Sequence, residues 1–208
     1  MDRELERNGH AFVRYADDCN VYVQSKRAGE RVMEHLRELY AKLRLRVNEE
    51  KSTVARVWDR KFLGYSFWVA PGKTVKRRVA PKALVGFKER VRQITSRNGG
   101  RSLPAVVEEL RTYLLGWKAY FRLADTPGVF QDLDQWIARR LRMVQLKQWK
   151  RGTTVYREMR SRGLPEKLAR AAGANARRWW SMSAHGALQT ALPRKYLEAL
   201  GLPRLQPL

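Results

Sequence analysis

The chain has 208 residues, 44% of them hydrophobic, enough to bury a core in one large domain or two small ones. Its 43 Lys and Arg against 20 Asp and Glu leave a formal charge of +23, a field that favours a polyanionic partner and departs from the balanced surface of an ordinary soluble enzyme. A single cysteine, Cys19, rules out an intrachain disulfide, and with His10, His35 and His185 scattered it cannot build a Cys/His zinc site.

Residues 11–15 and 19–23 read as two short strands rich in Val, Tyr and Phe, joined by a tight turn through Ala16, Asp17 and Asp18. From Ala28 to Leu43 the apolar residues Val32, Met33, Leu36, Leu39, Tyr40 and Leu43 recur at spacings of three and four, the pattern of an amphipathic helix. Short strands are expected near 44–47 and 52–57, then a hairpin over 61–69 and 75–79 whose loop "APGK" carries Pro71 and Gly72. After Pro81 the periodicity becomes helical, over about 82–96, 102–122 and 129–148, broken by "SRNGGRS" and "ADTPG". The remainder, 153–208, reads as shorter helical stretches punctuated by Gly and Pro, a small module or loosely packed arm. Residues 80–208 carry 25 basic and 9 acidic side chains, residues 1–79 carry 18 and 11, so the later part is the expected nucleic-acid grip.

No apolar run approaches the ~20 residues that span a bilayer, and the first ten residues are charged, not an apolar signal core. A membrane partner is therefore not expected, and the reading is of a soluble intracellular protein.

Adjacent carboxylates repel, so a fold that aims Asp17 and Asp18 into one small space needs a cation or a proton there. Magnesium takes hard oxygen ligands and binds through one or two carboxylates plus substrate phosphates, and a hairpin tip fixes the backbone while exposing such side chains. The other reading is that both are turn formers, since Asp is common in turns.

Four stretches resemble a known family, the group II intron-encoded reverse transcriptases and maturases of bacterial type. "FVRYADDCNVYV" (12–23) is similar to the catalytic hairpin with its YADD motif; "LRLRVNEEKSTVA" (43–55) resembles the Asn-x-x-Lys block, here Asn48 and Lys51. "RKFLGYSFWV" (60–69) resembles the Phe-Leu-Gly-Tyr hairpin of the primer grip, and residues 110–150, with Gly116-Trp117, Tyr120-Phe121 and Trp136, resemble the maturase-specific thumb helices. Order and spacing of all four carry the identification, and the Gly-Trp-x-x-Tyr-Phe stretch before a basic helix selects the intron family.

The resemblance implies an α+β chain: residues 1–79 a partial right-hand polymerase palm, 80–150 a three-helix thumb and maturase domain, 151–208 a basic helical tail. It implies Mg2+ at a two-metal site, held here by Asp17 as the stronger ligand and Asp18 as the supporting one. Tyr15 would approach the nascent duplex or pack across the strands; Asn48 and Lys51 would lie by the primer-template, or close a turn. Phe62, Leu63, Gly64 and Tyr65 would shape the primer grip, the first two equally suited to packing. Arg139, Arg140, Arg142, Lys147, Lys150, Arg151, Arg177 and Arg178 would neutralise RNA phosphates unless they are a solvated face, and Trp149 would stack on an unpaired base. Trp179 and Trp180 cannot share one helix face, so one should pack inward. The implied partners are group II intron RNA, an RNA template with its DNA primer, and target DNA, in the bacterial cytoplasm. Only Met1 to His10 precede the hairpin, without the fingers and the further catalytic aspartate of the family, so this stretch alone is not expected to copy RNA; a fragment, a truncated gene and one half of a split enzyme completed by a separate fingers and upper-palm polypeptide all stay open. The alternative is an RNA-binding splicing cofactor with a vestigial metal site.

Overall fold

A computed structural model describes residues 1–206, which divide into two compact units, Met1–Ala80 and Pro81 onward. The first unit is α+β. A short helix α1 (Asp2–Arg7), to which the sequence reading assigned no element, leads into the antiparallel hairpin β1 (Ala11–Tyr15) and β2 (Asp18–Tyr22). Helix α2 (Lys26–Lys42) starts where the Ser25 hydroxyl accepts from the Ala28 amide at 3.2 Å, satisfying one of the donors a helix start leaves open. Its Gly29 lets the helix meet Val54 and Val23: a Cβ there would lie 2.6 Å from a Val54 methyl.

The strands expected at 44–47 and 52–57 do not form; both segments are irregular, apart from a turn around Asn48, and a short 3₁₀ turn follows at Val57–Asp59. A three-stranded antiparallel sheet then runs β3 (Lys61–Phe62), β4 (Tyr65–Ala70) and β5 (Thr74–Val79), with "APGK" in the second turn as expected. This unit has little core. Its buried apolar side chains are Leu5, Val32, Ala70, Val79 and Ala80, while Val13, Tyr15, Tyr22, Leu43, Leu45, Trp58, Val69 and Val75 stand exposed.

The second unit is all helix: α3 (Pro81–Ile94), α4 (Leu103–Tyr120), α5 (Pro127–Trp149), α6 (Gly152–Ser161), α7 (Glu166–Ala174), α8 (Trp179–Met182), α9 (Gly186–Ala191) and α10 (Arg194–Ala199). The helix α5 is central, burying side chains on several sides from Phe130 to Trp149, as a helix does when neighbours surround it. An aromatic ladder ties α3, α4 and α5 together: Trp117 lies 4.4 Å from Phe87, 4.7 Å from Phe121 and 5.8 Å from Phe130, ring centre to ring centre. Of the Gly-Trp and Tyr-Phe markers of the sequence, Phe121 is buried and Trp117 half-buried in this ladder, while Gly116 and Tyr120 are exposed.

The segment after 150 is not a loose arm. Leu146 and Trp149 share one buried cluster with Val155, Met159, Leu164, Ala169, Leu188 and Leu192. Farther on, the buried Asp134 carboxylate accepts from the amides of Leu205 and Gln206 and from Arg194, fastening the chain's end to α5.

Candidate nucleic-acid interface and metal-binding hairpin

The tip of the β1–β2 hairpin is a two-residue turn, because Tyr15 pairs with Asp18 and leaves Ala16 and Asp17 between them. Ala16 has φ of +53° and Asp17 does not join the positive-φ residues, the sign pattern of a type II′ turn, whose twist matches that of the strands. The Arg14 guanidinium steadies the turn by donating to the Ala16 carbonyl at 3.2 Å and, through Nε and Nη2, to Asp2 on α1.

Strand alternation sorts the rest. Phe12, Arg14, Cys19 and Val21 share one face, partly covered, where burial pushes the Cys19 thiol up, Asp2 adding to the rise and Arg14 opposing it. The opposite face carries Val13, Tyr15, Asp18, Asn20 and Tyr22 and is open, with Tyr15 65% exposed. Asp17 and Asp18 are both exposed, and among the described residues neither carboxylate has a hydrogen-bond or ion-pair partner. Two adjacent, unpartnered hard-oxygen donors fit the chemistry of a magnesium site. No group of three His, Cys, Asp or Glu is gathered among the described residues, so this pair by itself is a partial set.

Asn48 closes a turn: its side-chain oxygen accepts from the Lys51 amide at 3.2 Å, and its carbonyl from the amides of Lys51 and Ser52. The Lys51 ammonium stays exposed while Arg60 donates to its carbonyl. In the primer-grip stretch Phe62 pairs with Tyr65, and Leu63 and Gly64 turn with φ of +49° and +76°. The Gly64 carbonyl accepts from Ala80 at 2.8 Å, anchoring that turn to the end of the unit.

In the helical unit the basic residues split into two sets. Arg142 is buried, its Nε donating to the Leu192 carbonyl at 3.0 Å, so it serves the fold and is closed to RNA phosphate. Trp149 is 8% exposed with Arg162 over its ring, so it packs in the core cluster and offers no platform for a base. Both correct the roles the resemblance implied, and for the same reason: each falls on a side of α5 that other helices cover. Lys150, Arg151, Arg177 and Arg178 remain exposed. Arg139, Arg140 and Lys147 are half-buried against indoles of Trp180, Trp136 and Trp179 at 3.8, 5.5 and 4.2 Å. Trp179 packs inward and Trp180 outward, as their adjacency requires.

Sequence reasoning missed Arg92 and Arg97. They flank the end of α3, and the signal was there: one cation in the last turn of the helical pattern and another inside the helix-breaking "SRNGGRS".

Residues 1–67 match the family model of the reverse transcriptase (RNA-dependent DNA polymerase), and residues 84–163 match that of the group II intron maturase-specific domain. The chain belongs to the group II intron reverse transcriptase and maturase family. The reverse transcriptase match takes in the YADD hairpin, α2, the Asn48 turn and the Phe62–Tyr65 turn, while the maturase match takes in α3 through α6. The tryptophans of α8 lie outside both matched stretches. None of the curated proteins compared matches the chain. No helix among the described residues is long and apolar enough to cross a membrane.

Proposed function

We propose that the helical unit holds structured intron RNA while the YADD hairpin brings Asp17 and Asp18 to a nucleic-acid 3′ end during RNA-templated DNA synthesis. The observation that carries this is the pair itself: two neighbouring carboxylates, exposed and unpartnered, on a hairpin held by Arg14 and open along the Tyr15 face.

Magnesium, when bound by Asp17 and Asp18, would neutralise charge on the reacting phosphate and make the 3′-hydroxyl a better nucleophile. The chain's own groups do the rest. The Ala16 turn fixes the spacing of the two acids, Tyr15 presents an amphipathic ring beside them, and Lys51 offers a mobile cation to a primer or template phosphate. At the half-buried Leu63–Gly64 turn the missing side chain of Gly64 would let a primer strand lie close. Further metal ligands would come from water, substrate phosphates and a carboxylate of another palm segment. That segment would cover the open Val13, Tyr15 and Tyr22 face, which the thin core of this unit leaves exposed.

Primer extension on an RNA template tests the proposal. The chain alone should give no product, and adding a polypeptide with fingers and upper palm should give magnesium-dependent DNA synthesis that Asp17→Ala abolishes. Synthesis by the reconstituted pair that survives Asp17→Ala would overturn the role of the hairpin.

A second reading is an RNA-binding splicing cofactor in which the two acids are unused. It is favoured by the partial ligand set and by the charge of residues 80–208. Under it, splicing assistance persists in Asp17→Ala and reconstitution never yields DNA.

A further inference from the structure

The end of α3, the outward side of α5 and α8 meet around an open groove of about 410 Å³. Its lining alternates cations with indoles. Arg92 and Arg140 lie 5.8 and 5.5 Å from the ring of Trp136, and Arg139 sits 3.8 Å over Trp180; just beside them Arg97 lies 5.1 Å from Trp179. Among the described residues none of these four arginines is paired with a carboxylate.

The fold accounts for two of them. Arg140 donates through Nε to the Thr95 hydroxyl at 2.5 Å and reaches the carbonyls of Arg92 and Thr95, so it caps the negative end of α3. Arg139 donates to the Trp180 carbonyl and the Ser183 hydroxyl, fixing α8. Arg92 and Arg97 do nothing of the kind. Both are exposed, and neither side chain makes a hydrogen bond within the described residues. Burial first, then the like charges of Arg92 and Arg97, depress the affinity of Arg140 for its proton, and among the described residues no carboxylate pairs with these arginines to offset that crowding. An anion relieves that crowding.

The ligand is more than a free phosphate, because an indole is exposed in the same groove. Trp180 is 41% exposed and carries Arg139 on its ring, leaving ring surface for a base, a stacking arrangement typical of single-stranded recognition. The volume suits one nucleotide and no duplex.

We propose that this groove takes one unpaired nucleotide extruded from RNA, its phosphate between Arg92 and Arg97 above Arg140 and its base on Trp180. The proposal rests on the RNA-binding reading given above and adds where a bulged or looped-out residue is held. Recognition is by phosphate and π-face, so it is indifferent to base identity.

The test uses the full chain and two RNA hairpins, identical except for a single 2-aminopurine bulge in one. Wild type should bind the bulged hairpin at least about tenfold tighter and quench the 2-aminopurine, since one stacked base is worth roughly that factor or more. Trp180→Ala should lose both effects while keeping its circular dichroism spectrum. Arg92→Ala with Arg97→Ala should weaken the bulged hairpin more than the paired one. Arg157→Ala with Lys167→Ala, removing two exposed cations elsewhere in the unit, should weaken both hairpins equally. Equal binding of the two hairpins by wild type, or quenching that survives Trp180→Ala, overturns the groove and leaves RNA binding intact. Failure of wild type to bind either hairpin at low salt overturns RNA binding itself, and the groove with it.

Discussion

Ala16 and Lys150 are two of the non-glycine residues that the chain holds at positive φ. Ala16, at φ of +53°, occupies the turn position where glycine is normal, one residue before the two acids. Ala16→Gly should therefore raise the unfolding free energy by about 0.5–1 kcal/mol, read from urea denaturation, with the hairpin register kept. Lys150 has φ of +58° and ψ of −63°, and the Arg151 amide donates across it to the Trp149 carbonyl at 2.6 Å, a tight γ-turn between α5 and α6. Lys150→Gly should be more stable in the same assay and should bind RNA slightly less well, having lost an exposed cation. The acidic pair was legible from the sequence because its neighbours were strand-forming and its turn short. Which tryptophan faces outward was not: Trp149 and Trp180 both stand among cations, and only the arrangement of helices around α5 buries the first and exposes the second.

At the scale of elements, the long helices and both hairpins follow from apolar spacing and Gly/Pro breakers, which are local signals. The strands expected at 44–47 and 52–57 needed partners to hydrogen-bond with, and none lies alongside; Leu43 and Leu45 stay exposed while Val54 fills the notch at Gly29. Helix contacts of the tail were equally invisible, since they depend on one close approach. A Cβ on Gly152 would sit 2.4 Å from the Gly173 carbonyl oxygen, backbone against backbone, where α6 and α7 cross. Gly152→Ala should lower stability by about 2 kcal/mol or more through forced separation of those helices, seen as a lower thermal midpoint. The latch on α5 gives a second case. Asp134→Ala leaves the buried Leu205 amide without its side-chain partner and takes one of several from Arg194, which keeps Glu198 and the Pro203 carbonyl, and should cost about 1–3 kcal/mol. Nearby, the Arg204 guanidinium, then Arg194, holds the Glu198 carboxyl below its usual range. Its stabilising contribution is present above the ordinary carboxylate pKa and is lost as pH falls through the depressed one. The acid-side loss in thermal midpoint should shrink in Glu198→Gln.

At the scale of the whole molecule, the two units differ in kind. Residues 1–80 bury few apolar side chains and present an open hairpin face, as the proposed covering by a further palm segment requires; the helical unit has a full core and carries most of the excess charge. That asymmetry matches a division between a catalytic edge and an RNA-holding body. The charge was the plainest message of the sequence, and the cationic groove beside α8 is where the fold concentrates part of it. The most direct measurement is the equilibrium affinity of the chain for structured intron RNA as salt rises from 50 to 200 mM, in wild type and in Asp17→Ala with Asp18→Ala. With six to ten phosphates neutralised, affinity should fall by about 10³-fold or more over that range, with the same slope in both proteins. A flat salt response, or RNA binding that collapses when the two acids are removed, would contradict the account.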